Sequence, residues 1–168
     1  NITAWDTTLG WRYPNQKIKV FIYGKGPLEK DIRKYINTNK LNHIVFLKGY
    51  LPNNKIAPKY STIDISIVTS LQESFCVSAV ESLSCKTPVI AFNVGGIPEV
   101  VDHNKSGILV PVKNYKKFAE AIYYLLQNKD IRIKMGEYGR KKVIKYYSID
   151  NNAQSMQSLY KKYYINAN

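Results

Sequence analysis

Sulfur and imidazole are scarce in this 168-residue chain, which has two cysteines and two histidines. Cys76 and Cys85 stand nine apart within one expected helix. That spacing is neither a disulfide framework nor a metal-ligand pattern. His43 and His103 are isolated, so no metal site is expected. No apolar run approaches the ~18 residues of a membrane span. The opening residues NITAWDTTLGW lack the basic start and apolar block of a secretory leader. A reducing cytoplasm is the expected home. The dinucleotide fingerprint G-x-G-x-x-G is missing too, because Gly24-Lys25-Gly26 is followed by Glu29 where the third glycine would stand. That argues against a nicotinamide-dependent dehydrogenase.

Acidic residues are few as well, 12 against 25 basic ones, for a net charge of +13. The imbalance is uneven. Residues 1–60 carry 11 Lys/Arg against 3 Asp/Glu, residues 61–112 carry 2 against 5, and residues 113–168 carry 12 against 4. A nucleic-acid-binding protein usually places its positive field on its binding element. Here the flanks are basic and the middle, which holds the motifs, is not. Most of the lysine suits ordinary solvated surface. The basic, Tyr-Lys-rich flanks also suit peripheral contact with an anionic inner membrane face.

Apolar residues make up 45% of the chain, enough for a packed core. Residues 1–13 read as a helix, ended by Tyr13-Pro14. Strands are expected at 17–23, 43–47, 63–68, 88–92 and 107–110, with amphipathic helices at 28–39 and 75–85 and a short one from Pro52 to Tyr60. After Pro111 the pattern is all helix, over 115–128, 130–145 and 149–165. Strands alternating with helices imply a parallel α/β sheet with helices on both faces. Ligands of such sheets bind at the carboxyl ends of strands, which marks the turns 24–27, 49–53, 69–75 and 93–98.

The turn at 70–76 carries the most chemistry. It leads into a helix whose first amides, about Ser74 to Val77, have no intrahelical acceptors. With the helix dipole they form an anion site. Glu73 and Glu81 flank it, eight residues apart. If the segment were helical throughout, they would be separated by roughly 12 Å. Carboxylates on both sides repel a bare phosphate and suit a ligand whose hydroxyls flank a diphosphate. A sugar nucleotide has that form. Each glutamate also fits a plainer role: one before a helix start is favourable on the dipole alone, and Glu81 fits a solvated helix surface.

The letters around this turn carry a resemblance. Glu73-Ser-Phe, Glu81-Ser-Leu-Ser-Cys85, Thr87-Pro-Val-Ile-Ala91, Gly95-Gly-Ile-Pro-Glu99 and Gly107-Ile-Leu-Val110 together resemble the retaining glycosyltransferases of family 4, which have the GT-B fold. The likeness extends to Val20–Leu28, Phe46–Tyr50 and Ile63-Asp64, and covers about residues 2–150. It implies a Rossmann-like sheet, one half of a GT-B enzyme, with extra C-terminal helices. Residues 1–168 would be the C-terminal, donor-binding domain. They would be a fragment lacking the domain's first strand, with its Arg and Lys, and the acceptor-binding N-terminal domain.

The implied activity of the full-length protein is metal-independent hexosyl transfer, with retention, from a UDP-, GDP- or ADP-sugar to a glycan or lipid-linked acceptor. The isolated fragment is expected to be inactive and to self-associate through an exposed sheet edge. Glu73 would hold the hexose hydroxyls, nearest the reacting carbon. Ser74 and the amides of Phe75, Cys76 and Val77 would contact sugar and phosphate, Glu81 the ribose, and Tyr50 and Leu51 the base. No metal or other cofactor is implied. Two positions depart from the family, which favours glycine where Cys76 and Lys86 stand. A non-catalytic nucleotide- or partner-binding module of the same fold is the alternative, with a basic nucleic-acid-binding domain behind it.

Overall fold

The computed structural model describes residues 18–164. The helix expected over residues 1–13 lies outside them. The chain divides into two compact units, one up to Pro58 and one from Lys59. The described strands form two parallel ladders, one in each unit.

In the first unit, β1 (Val20–Tyr23) pairs in parallel with β2 (Val45–Gly49), with Val20 opposite Val45 and Phe21 opposite Phe46. A parallel pair needs a crossover. Helix α1 (Glu29–Thr38) supplies it, with Glu29 and Asp31 in its first turn, where the dipole favours them, and Ile36 buried. Leu28 sits at the N-cap, ahead of the apolar stripe, and is exposed. Phe21 and Phe46 stack at 5.5 Å on one face of the ladder. A short 3-10 turn (Asn53–Lys55) leads into α2 (Ile56–Tyr60), which runs across the division.

In the second unit, β3 (Ser66–Val68), β4 (Val89–Phe92) and β5 (Gly107–Val110) form a sheet with β4 central. All four β4 residues are buried, as the apolar run Val-Ile-Ala-Phe requires of a strand covered on both faces. Around it lie α3 (Val77–Ser84), α4 (Ile97–Val100), α5 (Tyr115–Gln127), α6 (Lys129–Tyr147) and α7 (Ile149–Tyr164). Asn114 caps α5 by accepting from the Lys117 amide, and Phe118 meets Phe92 edge-on at 5.1 Å. Asn151 donates to the carbonyls of Ile144 and Lys145 and so closes the end of α6. No residue of α7 is buried.

Two expectations change. The third strand, expected over 63–68, is formed only by Ser66–Val68. Turn hydrogen bonds from the Thr62 hydroxyl to the Lys59 carbonyl and from the Ile63 amide to the Tyr60 carbonyl hold the preceding residues. Asp64 instead turns outward to Arg132, at 2.9 Å. The motif helix begins at Val77 rather than Phe75, because Cys76 has φ 68° and ψ 67°, a left-handed backbone that no right-handed helix contains.

The far end of α3 is a left-handed cap. The Lys86 amide bonds to the Leu83 carbonyl and the Thr87 amide to the Ser82 carbonyl, with Lys86 at φ 62°. Gly136 and Gly139 of α6 lie against this end. A Cβ on Gly136 would overlap the Lys86 carbonyl oxygen, and one on Gly139 would lie 2.5 Å from Leu83 Cδ2. Arg140 donates to the Ser84 carbonyl. The motif helix is therefore clamped from behind by α6.

Candidate donor-sugar site

Glu73, Ser74, Phe75, Cys76, Val77 and Glu81 lie on one turn and the helix that follows it, after the carboxyl end of β3. The turn is not free-standing. The next strand-to-helix turn backs onto it: the Gly96 amide donates to the Glu73 carbonyl at 3.0 Å. A Cβ on Gly95 would overlap the Glu73 carbonyl oxygen, and one on Gly96 that of Ser74. The Gly95-Gly96 pair thus exists for close approach of two backbones, not for flexibility.

Among the described residues, the amides of Cys76, Val77 and Ser78 donate to no protein acceptor. Those of Ala79 and Val80 already bond to the Cys76 carbonyl. Three donors therefore stand open where the helix dipole favours negative charge. Glu73 accepts one long hydrogen bond from the Ser70 hydroxyl, at 3.5 Å. Among the described residues no Lys, Arg or His lies in ion-pair range of Glu73 or Glu81. Both are half-buried. Two partly desolvated carboxylates with unused acceptor capacity are suited to neutral hydroxyls. The premise behind the 12 Å separation does not hold, since the residues from Glu73 to Cys76 are not helical.

Sequence reasoning missed Tyr60. Its carbonyl accepts the Thr87 hydroxyl at 2.7 Å, and the Ser82 hydroxyl donates to the Thr87 carbonyl at 3.0 Å, so the end of α2 is tied to α3. Burial first, then the charges of Glu81, Cys76 and Cys85, push its phenol up to about 12. A tyrosine at the end of a short helix carries no local signal of this, because tertiary packing brings it beside Glu81. Tyr50 and Leu51 belong to the first unit, at the carboxyl end of β2, with Tyr50 66% exposed. No helix among the described residues is long and apolar enough to cross a membrane.

Parallel strands with crossover helices, and a ligand-ready turn at their carboxyl ends, define a Rossmann-like α/β domain of the GT-B type. The chain belongs to the group 1 glycosyl transferases, whose family model matches residues 11–142. It is 37% identical over 157 residues to the D-inositol 3-phosphate glycosyltransferase of Corynebacterium jeikeium, covering 90% of this chain and 37% of that relative. Sucrose-phosphate synthase from Thermosynechococcus elongatus has the same fold, with TM-score 0.82 and 25% identity over 95% of this chain and 42% of that one. So does Staphylococcus aureus TarM, crystallised with fondaparinux, alpha-GlcNAc-glycerol and UDP, with TM-score 0.81 and 27% identity over 90% of this chain and 30% of that one. The chain thus spans well under half the length of these proteins.

Proposed function

We propose that this chain is the donor-binding, C-terminal domain of a hexosyltransferase that uses a nucleoside-diphosphate sugar. The observation that carries the reading is the segment 73–81, where two uncompensated, half-buried carboxylates flank three open helix-start amides. The amides take phosphate oxygens, Glu73 the hexose hydroxyls and Glu81 the ribose hydroxyls. UDP in the TarM crystal supports a nucleotide at this fold.

Transfer proceeds with retention and without a metal. As the bond to the anomeric carbon breaks, charge develops on the departing diphosphate. Open amides already aimed at that charge stabilise it with little reorganisation. Neither glutamate acts as a proton-transfer partner; both position hydroxyls. The chain covers 37% of its Corynebacterium relative, and the acceptor site lies in the remainder of such a longer protein. The acceptor is a glycan or a lipid-linked sugar, and the basic flanks meet an anionic inner membrane face.

Full-length turnover over a panel of UDP-, GDP- and ADP-sugars, read by released nucleotide, tests the reading. Glu81→Gln raises donor KM by about tenfold or more, the weight of a charged hydrogen bond. Glu73→Gln lowers kcat more than it raises KM, because Glu73 lies nearest the reacting sugar. Unchanged turnover in both variants would move the site elsewhere and favour a non-catalytic module.

A further inference from the structure

The turn that carries Glu73 is backed on one side by Gly95 and Gly96. Its backbone includes the left-handed Cys76, and a strained conformation persists only where its surroundings hold it. Phe75, between the glutamate and the strained cysteine, is 39% exposed. Its ring meets that of Tyr147 at 5.4 Å and 70°, an edge-to-face contact. Tyr147 is the last residue of α6. It packs against the core cluster that contains Cys76, Ala79 and Leu83.

The other end of the same side chain is also engaged. The Tyr147 hydroxyl donates to the Glu99 carbonyl at 2.8 Å. Lys142 donates to that carbonyl at 2.6 Å and to Asp102 Oδ1 at 2.8 Å, and Tyr138 donates to Asp102 Oδ2 at 2.9 Å. Three side chains of α6 therefore fix the end of α4, the helix that follows the Gly95-Gly96 turn. Of the three, Tyr147 also touches the donor turn. Like any tyrosine it is a donor at neutral pH, and burial first, then Glu99 and Asp102, raise its phenol further.

We infer that Tyr147 is a positioning residue for the donor site, joining the Phe75 turn to the end of α4 through its ring and its hydroxyl. This rests on the reading of the 73–78 turn as the donor site. Tyr147 touches no substrate; it acts through Phe75 and, by way of Phe75, on the open amides at 76–78.

The test uses the full-length protein with Tyr147→Phe, Tyr147→Ala and, as control, Tyr146→Ala, whose side chain is exposed. One readout does not depend on the donor: the rate at which a thiol reagent labels Cys76, a residue only 2% exposed, located by peptide mass spectrometry. Tyr147→Ala speeds labelling between about twofold and tenfold, the weight of an edge-to-face pair. Tyr147→Phe, which keeps the ring, recovers most of the protection, and Tyr146→Ala changes nothing. Donor KM in the turnover panel rises by a similar factor in Tyr147→Ala, with acceptor KM unchanged. If Tyr147→Ala does not fold, Tyr147→Leu, which keeps bulk and loses ring and hydroxyl, is read in its place. Labelling equal to wild type, labelling matched by Tyr146→Ala, or faster labelling with unchanged donor KM would each overturn the inference. If the wild-type protein turns over no nucleotide sugar, the proposed function fails, while Cys76 labelling still decides whether Tyr147 holds the turn.

Discussion

Lys86 and Cys76 share a left-handed backbone, at φ 62° and φ 68°, but differ in surroundings. Lys86 is exposed and occupies the position after α3 where glycine costs least. Lys86→Gly is expected to raise stability by about 1 kcal/mol, seen as a higher urea midpoint. Cys76 is buried, so Cys76→Gly relieves similar strain but loses about 1 kcal/mol of side-chain burial. The two effects nearly cancel, and a gain at 76 equal to that at 86 would contradict the account. Tyr60 gives a pH signature. Its folded pKa of about 12 lies above the ordinary tyrosine value near 10. The neutral phenol's contribution is therefore fully present below about pH 10 and is lost as pH rises toward 12. Tyr60→Phe removes that part of the alkaline slope, which urea midpoints measured from pH 9 to 12 would detect.

Among the elements, α6 and α3 meet most closely. Gly136→Ala drives a Cβ into the Lys86 carbonyl, part of a capped backbone that has nowhere to go. The expected loss is about 3 kcal/mol. Gly139→Ala meets side chain rather than backbone, Leu83 Cδ2 at 2.5 Å and its Cβ and Cγ at 3.3 Å. Alanine also gains about 1 kcal/mol of helix propensity over glycine. The net loss at 139 is about 1 kcal/mol, and calorimetric melting should rank 136 well below 139.

Most element positions were legible because they follow local periodicity. Gly107–Val110 matches its expected range, and α7 begins at Ile149, as expected. The strand-to-helix turn between the glutamates was legible as a local pattern, although its open amides are those of 76–78 rather than about 74–77. The shortened β3 was not. The Asp64–Arg132 pair that accompanies it comes from a helix 68 residues later. Tyr60 and Tyr147 were hidden for the same reason, since packing alone gives them their neighbours.

For the whole molecule, the question is how much of an enzyme these residues hold. The chain spans 37% of its Corynebacterium relative and 30% of TarM. The carboxylates and open amides are present, but among the described residues no cation stands in ion-pair range of either glutamate. The isolated 168 residues are expected to show negligible transfer, measured by nucleotide release from the sugar that the full-length protein uses best. Turnover comparable to full length would refute the assignment of the acceptor site to the remainder. The joint between α6 and α3 sets a mechanical limit on the second unit. Gly136 and Gly139 act as two keys in one lock. Sliding α6 by one turn of four residues would set Arg132 or Arg140 against the Lys86 carbonyl. Sliding it by three would seat one glycine but force Ile133 or Lys142 into the other's place. One register fits, so α6 has no gears: it cannot slip along α3 by a turn without driving a side chain into the Lys86 carbonyl or Leu83.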